Sequence, residues 1–131
     1  MDYPAALHHA RSYQVATPVY EGPLDLLLQL IERAQLDITR LALAQITDQY
    51  LEHLKLLQDR SADDVSAFLT IASRLLLIKS EALLPRPPHR EPDEEDPGEA
   101  LARQLRLYKI FKQAALFLEH QENARKHTFL R

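Results

Sequence analysis

Between residues 61 and 84, apolar side chains recur at the spacing of an α-helix. Ser61-Ala62-Asp63-Asp64 reads as a capping box that begins this helix, and Pro85 ends it because proline has no amide hydrogen to donate. Plotted at about 100° per residue, the apolar side chains cover an arc of about 200°. A surface helix needs an arc of only about 100°. A helix this broadly apolar is expected to contact more than one neighbour.

Three further stretches carry the same helical period. The first begins at Gly22-Pro23, where proline suits the first turn, and its apolar residues from Leu24 to Ala34 again fill about 200° of arc. The others are predicted from about Leu43 to Leu57 and over residues 99–127. Leucine contributes 25 residues and alanine 16, against 14 for valine, isoleucine and threonine together, and only two residues are glycine. This composition favours helices over strands and predicts an all-α fold.

A proline-rich acidic segment divides the chain. Residues 85–98 hold five of the eight prolines and have a net charge of −3, so they predict an extended linker. The expected organisation is a small N-terminal domain of about three helices over residues 1–84, the linker over 85–98, and one long helical segment over 99–131. We interpret the acidic run within the linker as a solvated spacer. Calcium binding is the weaker alternative, because no glycine-shaped loop organises the carboxylate oxygens.

Groups that could carry catalysis or hold a cofactor are scarce. The chain has no cysteine, which excludes a disulfide framework, a thiolate metal site and a cysteine nucleophile, and which fits a cytoplasmic protein. The only glycines, Gly22 and Gly98, do not form a phosphate-cradling loop. His120 and His127 share a helical face but lie about 10 Å apart, too far to bind one metal without a third ligand between them. The sequence therefore predicts no catalytic residues, no cofactor, no metal site and no enzymatic activity.

The excess of apolar surface on the helix at 61–84 has two explanations. The helix could be central to the domain, or it could pack through one sub-face and keep the other for a partner. The inner sub-face would consist of Ile71, Leu75, Ile78 and Ala82, and the outer one of Val65, Leu69, Ala72, Leu76 and Leu83. The outer residues have the near-heptad spacing of a coiled-coil helix. The first helix is equally apolar, and two such helices cannot both be central in 84 residues, which favours partner binding.

A series of motifs runs through residues 13–131. It includes Tyr20-Glu21-Gly22-Pro23-Leu24-Asp25-Leu26-Leu27-Leu28, then Ile46-Thr47-Asp48-Gln49-Tyr50-Leu51, then Ala72-Ser73-Arg74-Leu75-Leu76-Leu77-Ile78-Lys79-Ser80, and finally Tyr108-Lys109-Ile110-Phe111-Lys112-Gln113-Ala114-Ala115. In this order the motifs resemble the family of ScpA, the bacterial kleisin subunit of the SMC–ScpAB condensin complex. Tyr20 departs from the family pattern, in which phenylalanine is usual, but it keeps the aromatic ring.

The resemblance implies a non-enzymatic kleisin adaptor that bridges SMC and ScpB in chromosome condensation and segregation. In that family the N-terminal helical domain packs on the coiled-coil neck of an SMC subunit, and the middle region lies across a ScpB dimer. For this chain the implied SMC-neck surface consists of Val65, Leu69, Ala72, Leu76, Lys79 and Leu83. The implied ScpB surface consists of Leu101, Leu105, Tyr108, Phe111, Lys112 and Ala115. The resemblance implies no small-molecule substrate.

The resemblance also implies a place in the cytoplasm, at the nucleoid, with DNA contacted only indirectly through the complex. The family's C-terminal winged helix, which caps the head of the other SMC subunit, is not among the 131 residues. These residues alone are therefore expected to bind the SMC neck and ScpB without closing a ring.

Charge and hydropathy bear on two other kinds of partner. No stretch reaches the roughly 18 uninterrupted apolar residues of a membrane span, so no membrane partner is expected. Residues 99–131 have a net charge of +4, which raises direct DNA binding through the basic final helix as an alternative function. The positive groups Arg103, Arg106, Lys109 and Lys112 are three residues apart. That spacing winds them round the helix instead of gathering them on one face.

Overall fold

The computed structural model describes residues 20–57 and 62–129, with side chains at 20–57 and 65–126. These residues form four helices, α1 (Pro23–Arg33), α2 (Arg40–Leu54), α3 (Ala62–Ala82) and α4 (Pro97–Phe129). No strand occurs within these two ranges, and the predicted all-α fold of a small helical domain, a proline-rich linker and one long helix is confirmed. The predicted cap at Ser61 and the first 19 residues of the predicted N-terminal domain lie outside the described residues.

Local sequence signals account for the ends of α1 and the start of α2. Pro23 occupies the first turn of α1, as predicted. Gln35 follows α1 with a φ of 59°, a left-handed conformation that ends the helix and redirects the chain. Thr39 caps α2, because its Oγ1 accepts a hydrogen bond of 3.1 Å from the backbone N–H of Ala42. This cap begins α2 at Arg40, three residues before the expected start at Leu43.

One hydrophobic core joins all four helices. Its side chains are Leu26, Leu27, Leu28, Leu30, Ile31, Ala42, Leu43, Ile46, Tyr50, Phe68, Ile71, Ala72, Leu75, Ile78, Leu101, Ala102 and Leu105. The hydroxyl of Tyr50 donates a 2.8 Å hydrogen bond to the backbone carbonyl of Phe68, and the two rings stack with their centroids 6.4 Å apart. Burial raises the pKa of Tyr50 well above its ordinary value, so the hydroxyl remains a donor at neutral pH. This bond ties α2 to α3 inside the core.

Residues 85–96 have neither helix nor strand, but ion pairs hold this part of the linker against the helical domain. The guanidinium of Arg90 contacts the carboxylates of Glu81, at the end of α3, and Asp96, just before α4. Arg40 of α2 also contacts Asp96, at 3.6 Å. Gly98 permits the close approach of α4 to α2, since a methyl group there would lie 2.2 Å from Cγ of Arg40. The linker therefore returns α4 to the bundle.

α4 has a docked half and a projecting half. Leu101, Ala102 and Leu105 are fully buried, so the core contains side chains from both sides of the linker. From Gln113 to Lys126 every side chain is exposed. The helix has 33 residues and is therefore about 50 Å long. Across residues 20–57 and 62–129, no helix combines the length and hydropathy that crossing a membrane requires.

Candidate interaction surfaces

The outward side of α3 carries a regular row of leucines and serines that no other described residue covers. We call this row the α3 seam, and it consists of Leu69, Ser73, Leu76, Ser80 and Leu83, the last lying one residue past the end of the helix. The steps along the row alternate between four and three residues, which is the a and d spacing of a coiled-coil helix. Its leucines are 52%, 49% and 74% exposed, although the opposite side of the same helix is in the core. The seam is thus an apolar stripe open to another helix.

The two serines of the α3 seam suit a close helix–helix contact. The Ser73 hydroxyl donates to the backbone carbonyl of Leu69 at 3.2 Å, and the Ser80 hydroxyl donates to that of Leu77 at 3.1 Å. Because both hydroxyls are satisfied within their own helix, covering them leaves no unpaired donor. Their small side chains leave hollows between the leucines. A neighbouring helix can therefore bring larger apolar side chains into the row.

The predicted SMC-neck residues divide into an exposed group and a group with contacts inside the chain. Leu69, Leu76 and Leu83 belong to the α3 seam. Val65 is half-buried, and Ala72, at 5% exposure, is part of the core. Lys79 is half-buried, and its Nζ lies 2.8 Å from a carboxylate oxygen of Asp48. Their binding role stays a prediction.

The broad apolar arc of α3 is divided between a packed side and an open side. Ile71, Leu75 and Ile78 of the expected inner sub-face are in the core, whereas Ala82 is exposed. α3 is therefore packed on one side and open on the other. Ser73 and Ser80 are missing from the predicted surface because it was built from apolar positions. The regular spacing of serines among the leucines is nevertheless present in the sequence.

The predicted ScpB residues fall on two sides of α4. Leu101 and Leu105 are fully buried in the core, and Tyr108 is half-buried against it. Their side chains pack within this chain and offer little or no free surface. Phe111, at 71% exposure, and Ala115 are open. The surface that α4 leaves free is therefore on its exposed side.

A second apolar row follows that exposed side. We call it the α4 seam, and it consists of Leu107, Phe111, Ala114 and Leu118. Its steps are four, three and four residues, so it too has coiled-coil spacing. Leu107 and Leu118 are 51% and 66% exposed, and the row lies opposite the docked face that carries Leu101 and Leu105. The implied ScpB surface included only Phe111 of this row, although the same spacing was present in the sequence.

Past the last core contact of α4, an ion pair joins the helix to α1. Asp25 is only 3% exposed, and its Oδ1 lies 2.5 Å from Nζ of Lys112. Its Oδ2 accepts hydrogen bonds of 3.2 Å from the backbone N–H of Glu21 and the side chain of Gln29. Burial by itself raises the pKa of Asp25, but the hydrogen bonds and the positive charge of Lys112 outweigh it and hold this pKa below its ordinary value. The same contact raises the pKa of Lys112. The pair is therefore charged at neutral pH.

The basic residues of α4 are largely engaged by groups of this chain. Arg103 forms an ion pair with Glu95 of the linker. Arg106 donates to the backbone carbonyl of Ile38 at 2.8 Å, and Lys109 lies 3.7 Å from Glu32 of α1. In two of these contacts a carboxylate offsets the positive charge. The three side chains do not form a continuous row of free positive charge. This arrangement weakens the alternative that α4 forms a DNA-binding face.

A groove of about 510 Å³ lies between α1, α3 and α4. It is lined by Glu21, Gly22, Pro23, Leu24, Asp25, Ala67, Thr70, Ile71, Arg74, Gln104 and Tyr108. Asp25 accepts three hydrogen bonds there and is not free to act as an acid or base. The Tyr108 hydroxyl is buried and has no hydrogen-bond partner in the described part of the chain. Burial and the negative charge of Asp25 raise its pKa, so it stays protonated at neutral pH.

Two outward apolar seams on one helical scaffold are typical of a module that binds other helical proteins. The chain belongs to the family of segregation and condensation protein ScpA, whose family model matches residues 30–131. The resemblance found in the sequence motifs is thereby confirmed.

Curated relatives of the same name cover most of this chain. The chain is 41% identical to segregation and condensation protein A of Xylella fastidiosa, over 89% of this chain and 41% of that protein. It is 43% identical to that of Listeria monocytogenes, over 84% of this chain and 46% of that protein. It is 42% identical to that of Exiguobacterium sibiricum, over 90% and 49%. The chain thus spans less than half the length of these relatives.

Proposed function

We propose that this chain is a non-enzymatic adaptor in chromosome segregation and condensation, which joins the coiled-coil neck of an SMC subunit to a ScpB dimer. Family membership and the names of the relatives support the biological process. The observation that carries the adaptor role is the presence of two exposed apolar seams, one on α3 and one on α4. Because the two rows lie on different helices and share no residue, two partners can bind together.

The α3 seam is proposed to bind the SMC neck. A coiled-coil neck offers helices with apolar side chains at heptad spacing, which matches the four-and-three steps of the seam. The row from Leu69 to Leu83 is about 21 Å long, enough for four turns of a partner helix. Helices that share such a row bury apolar surface worth about 25 cal/mol per Å². Leucine side chains that are exposed in the free chain would thus become the core of a mixed helical bundle.

The α4 seam is proposed to bind ScpB. Its row begins on the docked half at Leu107 and continues to Leu118 on the projecting half. A projecting helix can be approached from most sides, so a partner can wrap it over several turns. Phe111 offers a large aromatic side chain at the middle of the row, the kind of anchor that dominates many interfaces. DNA would be reached only through the assembled complex, at the nucleoid in the cytoplasm.

The direct test is size-exclusion chromatography with light scattering on three mixtures. The chain is mixed with an SMC head–neck fragment, with ScpB, and with both together. We expect a complex in each binary mixture and a larger complex containing all three proteins. Co-elution with neither partner would contradict the proposal. Binding to DNA in place of both partners, with an affinity that falls steeply as salt is added, would instead favour the DNA-binding alternative.

A further inference from the structure

We infer that Asp25 and Lys112 are positioning residues that set the direction of α4, and with it the angle between the α3 seam and the α4 seam. The inference rests on the proposed function for its purpose, because a fixed angle matters only if both seams bind partners. Its structural content is independent of any partner. The inference predicts that the angle between the two seams is fixed in the free chain. If only the proline-rich linker joined α3 to α4, this angle would vary.

Apolar contact alone gives α4 little directional control. In the described part of the helix, three apolar side chains are fully buried: Leu101, Ala102 and Leu105. Together with Tyr108, which is half-buried against the core, and Arg106, which donates to the carbonyl of Ile38, they hold about two turns near one end of the helix, and these turns act as a pivot for the rest. Leu118 is 13 residues past Leu105, which corresponds to about 20 Å along the helix axis. A rotation of about 10° at the pivot would move that part of the seam by about 3 Å, enough to spoil helix packing.

The ion pair supplies a second fixed point at a distance from the pivot. Lys112 is seven residues past Leu105, about 10 Å along the axis, and it lies on the same side of the helix. Its Nζ is 2.5 Å from Oδ1 of Asp25 on α1. Two points of contact at this separation define a direction, which one point does not.

Asp25 is itself held in place. Its other carboxylate oxygen accepts from the backbone N–H of Glu21 and from the side chain of Gln29, both at 3.2 Å. The carboxylate is therefore a fixed acceptor for Lys112. The neighbouring pair of Lys109 with Glu32 is longer, at 3.7 Å, and both side chains are more exposed, so it contributes less.

An ion pair with a buried carboxylate and a half-buried ammonium is well suited to this role. Compared with apolar side chains of the same size, such pairs add little stability, because removing two charges from water is costly. They do penalise every arrangement in which one charge is buried without the other. For α4 the penalised arrangements are those in which the helix rotates about the Leu101–Leu105 contact and withdraws Lys112 from Asp25. The pair therefore selects a direction more than it holds the helix to the bundle.

The test measures the distance between α3 and α4 in the free chain by pulsed electron paramagnetic resonance. The chain has no cysteine, so Thr70→Cys and His120→Cys place one spin label on each helix without further changes. Both positions are exposed and lie outside the seams. We expect one narrow distance distribution in this doubly labelled chain. In a Lys112→Met background, which keeps the length of the side chain but removes its charge, we expect the distribution to shift or broaden by about 4 Å.

Three further variants make the test specific. Lys112→Arg keeps the charge and should preserve the narrow distribution. Lys126→Met removes a lysine that pairs with Glu122 on the projecting half and should change nothing. Asp25→Asn removes the charge from the other side and should reproduce the effect of Lys112→Met. A narrow, unshifted distribution in both Lys112→Met and Asp25→Asn, with helical circular dichroism retained, would overturn the inference. Equal broadening by Lys112→Arg would also overturn it, because charge would then not be the cause.

Partner binding separates this inference from the proposed function. In Asp25→Asn the affinity for the SMC neck alone and for ScpB alone should stay within about threefold of the parent chain, since Asp25 is buried and belongs to neither seam. The label distance in the complex of three proteins should still differ from that of the parent. A parent chain that binds neither partner would contradict the proposed function and leave the distance result intact. A tenfold loss of binary affinity in Asp25→Asn would show that the ion pair is itself part of a partner surface and would overturn the positioning role.

Discussion

α3 and α4 each carry an apolar seam, but the two helices are supported in different ways. α3 contributes core side chains over much of its length, from Phe68 to Ile78, and its seam lies on the opposite side of the same turns. α4 is held at its first turns and by Lys112, and its seam continues to Leu118, where every neighbouring side chain of the helix is exposed. One seam lies on a packed helix and the other reaches beyond the bundle.

This difference predicts different behaviour on binding. The backbone of α3 is already ordered by the core, so a partner of the α3 seam meets a preformed surface. The projecting half of α4 depends on helix propensity and on the turns that precede it, because an isolated helix of this length is marginal in water. A partner of the α4 seam therefore meets a formed helix that can still bend, and restricting this bending costs part of the binding free energy. We expect the α4 interface to be the weaker of the two for the same buried area.

The largest effect should come from the packed side of α3. Leu75 is fully buried in the core. Leu75→Ala should therefore lower the free energy of unfolding by about 2–5 kcal/mol, through lost burial and a residual cavity. Leu76→Ala, one residue later in the seam, should change it by less than about 0.5 kcal/mol. Urea unfolding followed by circular dichroism measures both. Equal destabilisation by the two variants would show that α3 does not have a packed side and an open side.

The next effect concerns binding at the α3 seam. Leu76→Glu should weaken binding to the SMC neck by about thirtyfold, or about 2 kcal/mol, because a carboxylate would be buried among leucines. Leu77→Glu is the matched control, since Leu77 is 46% exposed against 49% for Leu76 but lies beside the row, about 100° round the helix from Leu76. It should have a much smaller effect. Calorimetry measures the affinity of both variants for the SMC neck, once their helical circular dichroism is shown to be unchanged. Equal weakening by Leu76→Glu and Leu77→Glu would contradict the proposal that the α3 seam binds the SMC neck.

A smaller loss of binding is expected at the α4 seam. Leu118→Glu should weaken ScpB binding by about tenfold, or about 1.4 kcal/mol, because one edge of the row would become charged. Leu116→Glu is the control: Leu116 is 56% exposed, Leu118 is 66% exposed, and the two lie on different sides of the helix. Neither change touches the core. If Leu116→Glu were the more damaging variant, the interface would lie on the other side of α4.

The smallest effect should be on the pH dependence of stability. Asp25 has a pKa lowered in the folded chain from the ordinary 3.8, so its contribution is present above that value and is lost as the pH falls through the lower folded pKa. At neutral pH, Asp25→Asn should be less stable than the parent by about 1 kcal/mol. Urea unfolding at several pH values should show this difference shrinking below about pH 4. A difference that stays constant down to pH 3 would mean that the Asp25 charge does not stabilise the fold.

The positions of the helices could be predicted closely from the sequence. The helix expected over 61–84 is described as Ala62–Ala82, and the one expected over 99–127 is Pro97–Phe129. These features depend on neighbours in the chain: proline at the ends, a threonine cap, and apolar residues at helical spacing. The start of α2 was placed three residues late because the apolar pattern was followed and the cap at Thr39 was not.

The candidate surfaces were predicted less well. Leu69, Leu76 and Leu83 were correctly placed on an outward face, but Ala72, which was grouped with them, is buried. On α4, apolar residues occur on both sides of the helix, and their helical spacing does not show which side faces the bundle. Leu101 and Leu105 were assigned to a partner surface, and their side chains are in the core.

By itself the sequence determined the number and spacing of the helices, the absence of strands in the described residues, and the family to which the chain belongs. Each of these depends on residues that are close together in the chain, or on matches to related chains. Only the tertiary structure decided which apolar stripe of each helix is covered, because burial depends on what packs against a helix and not on its own spacing. It also joined Asp25 to Lys112 across 87 residues, a contact that no local pattern encodes.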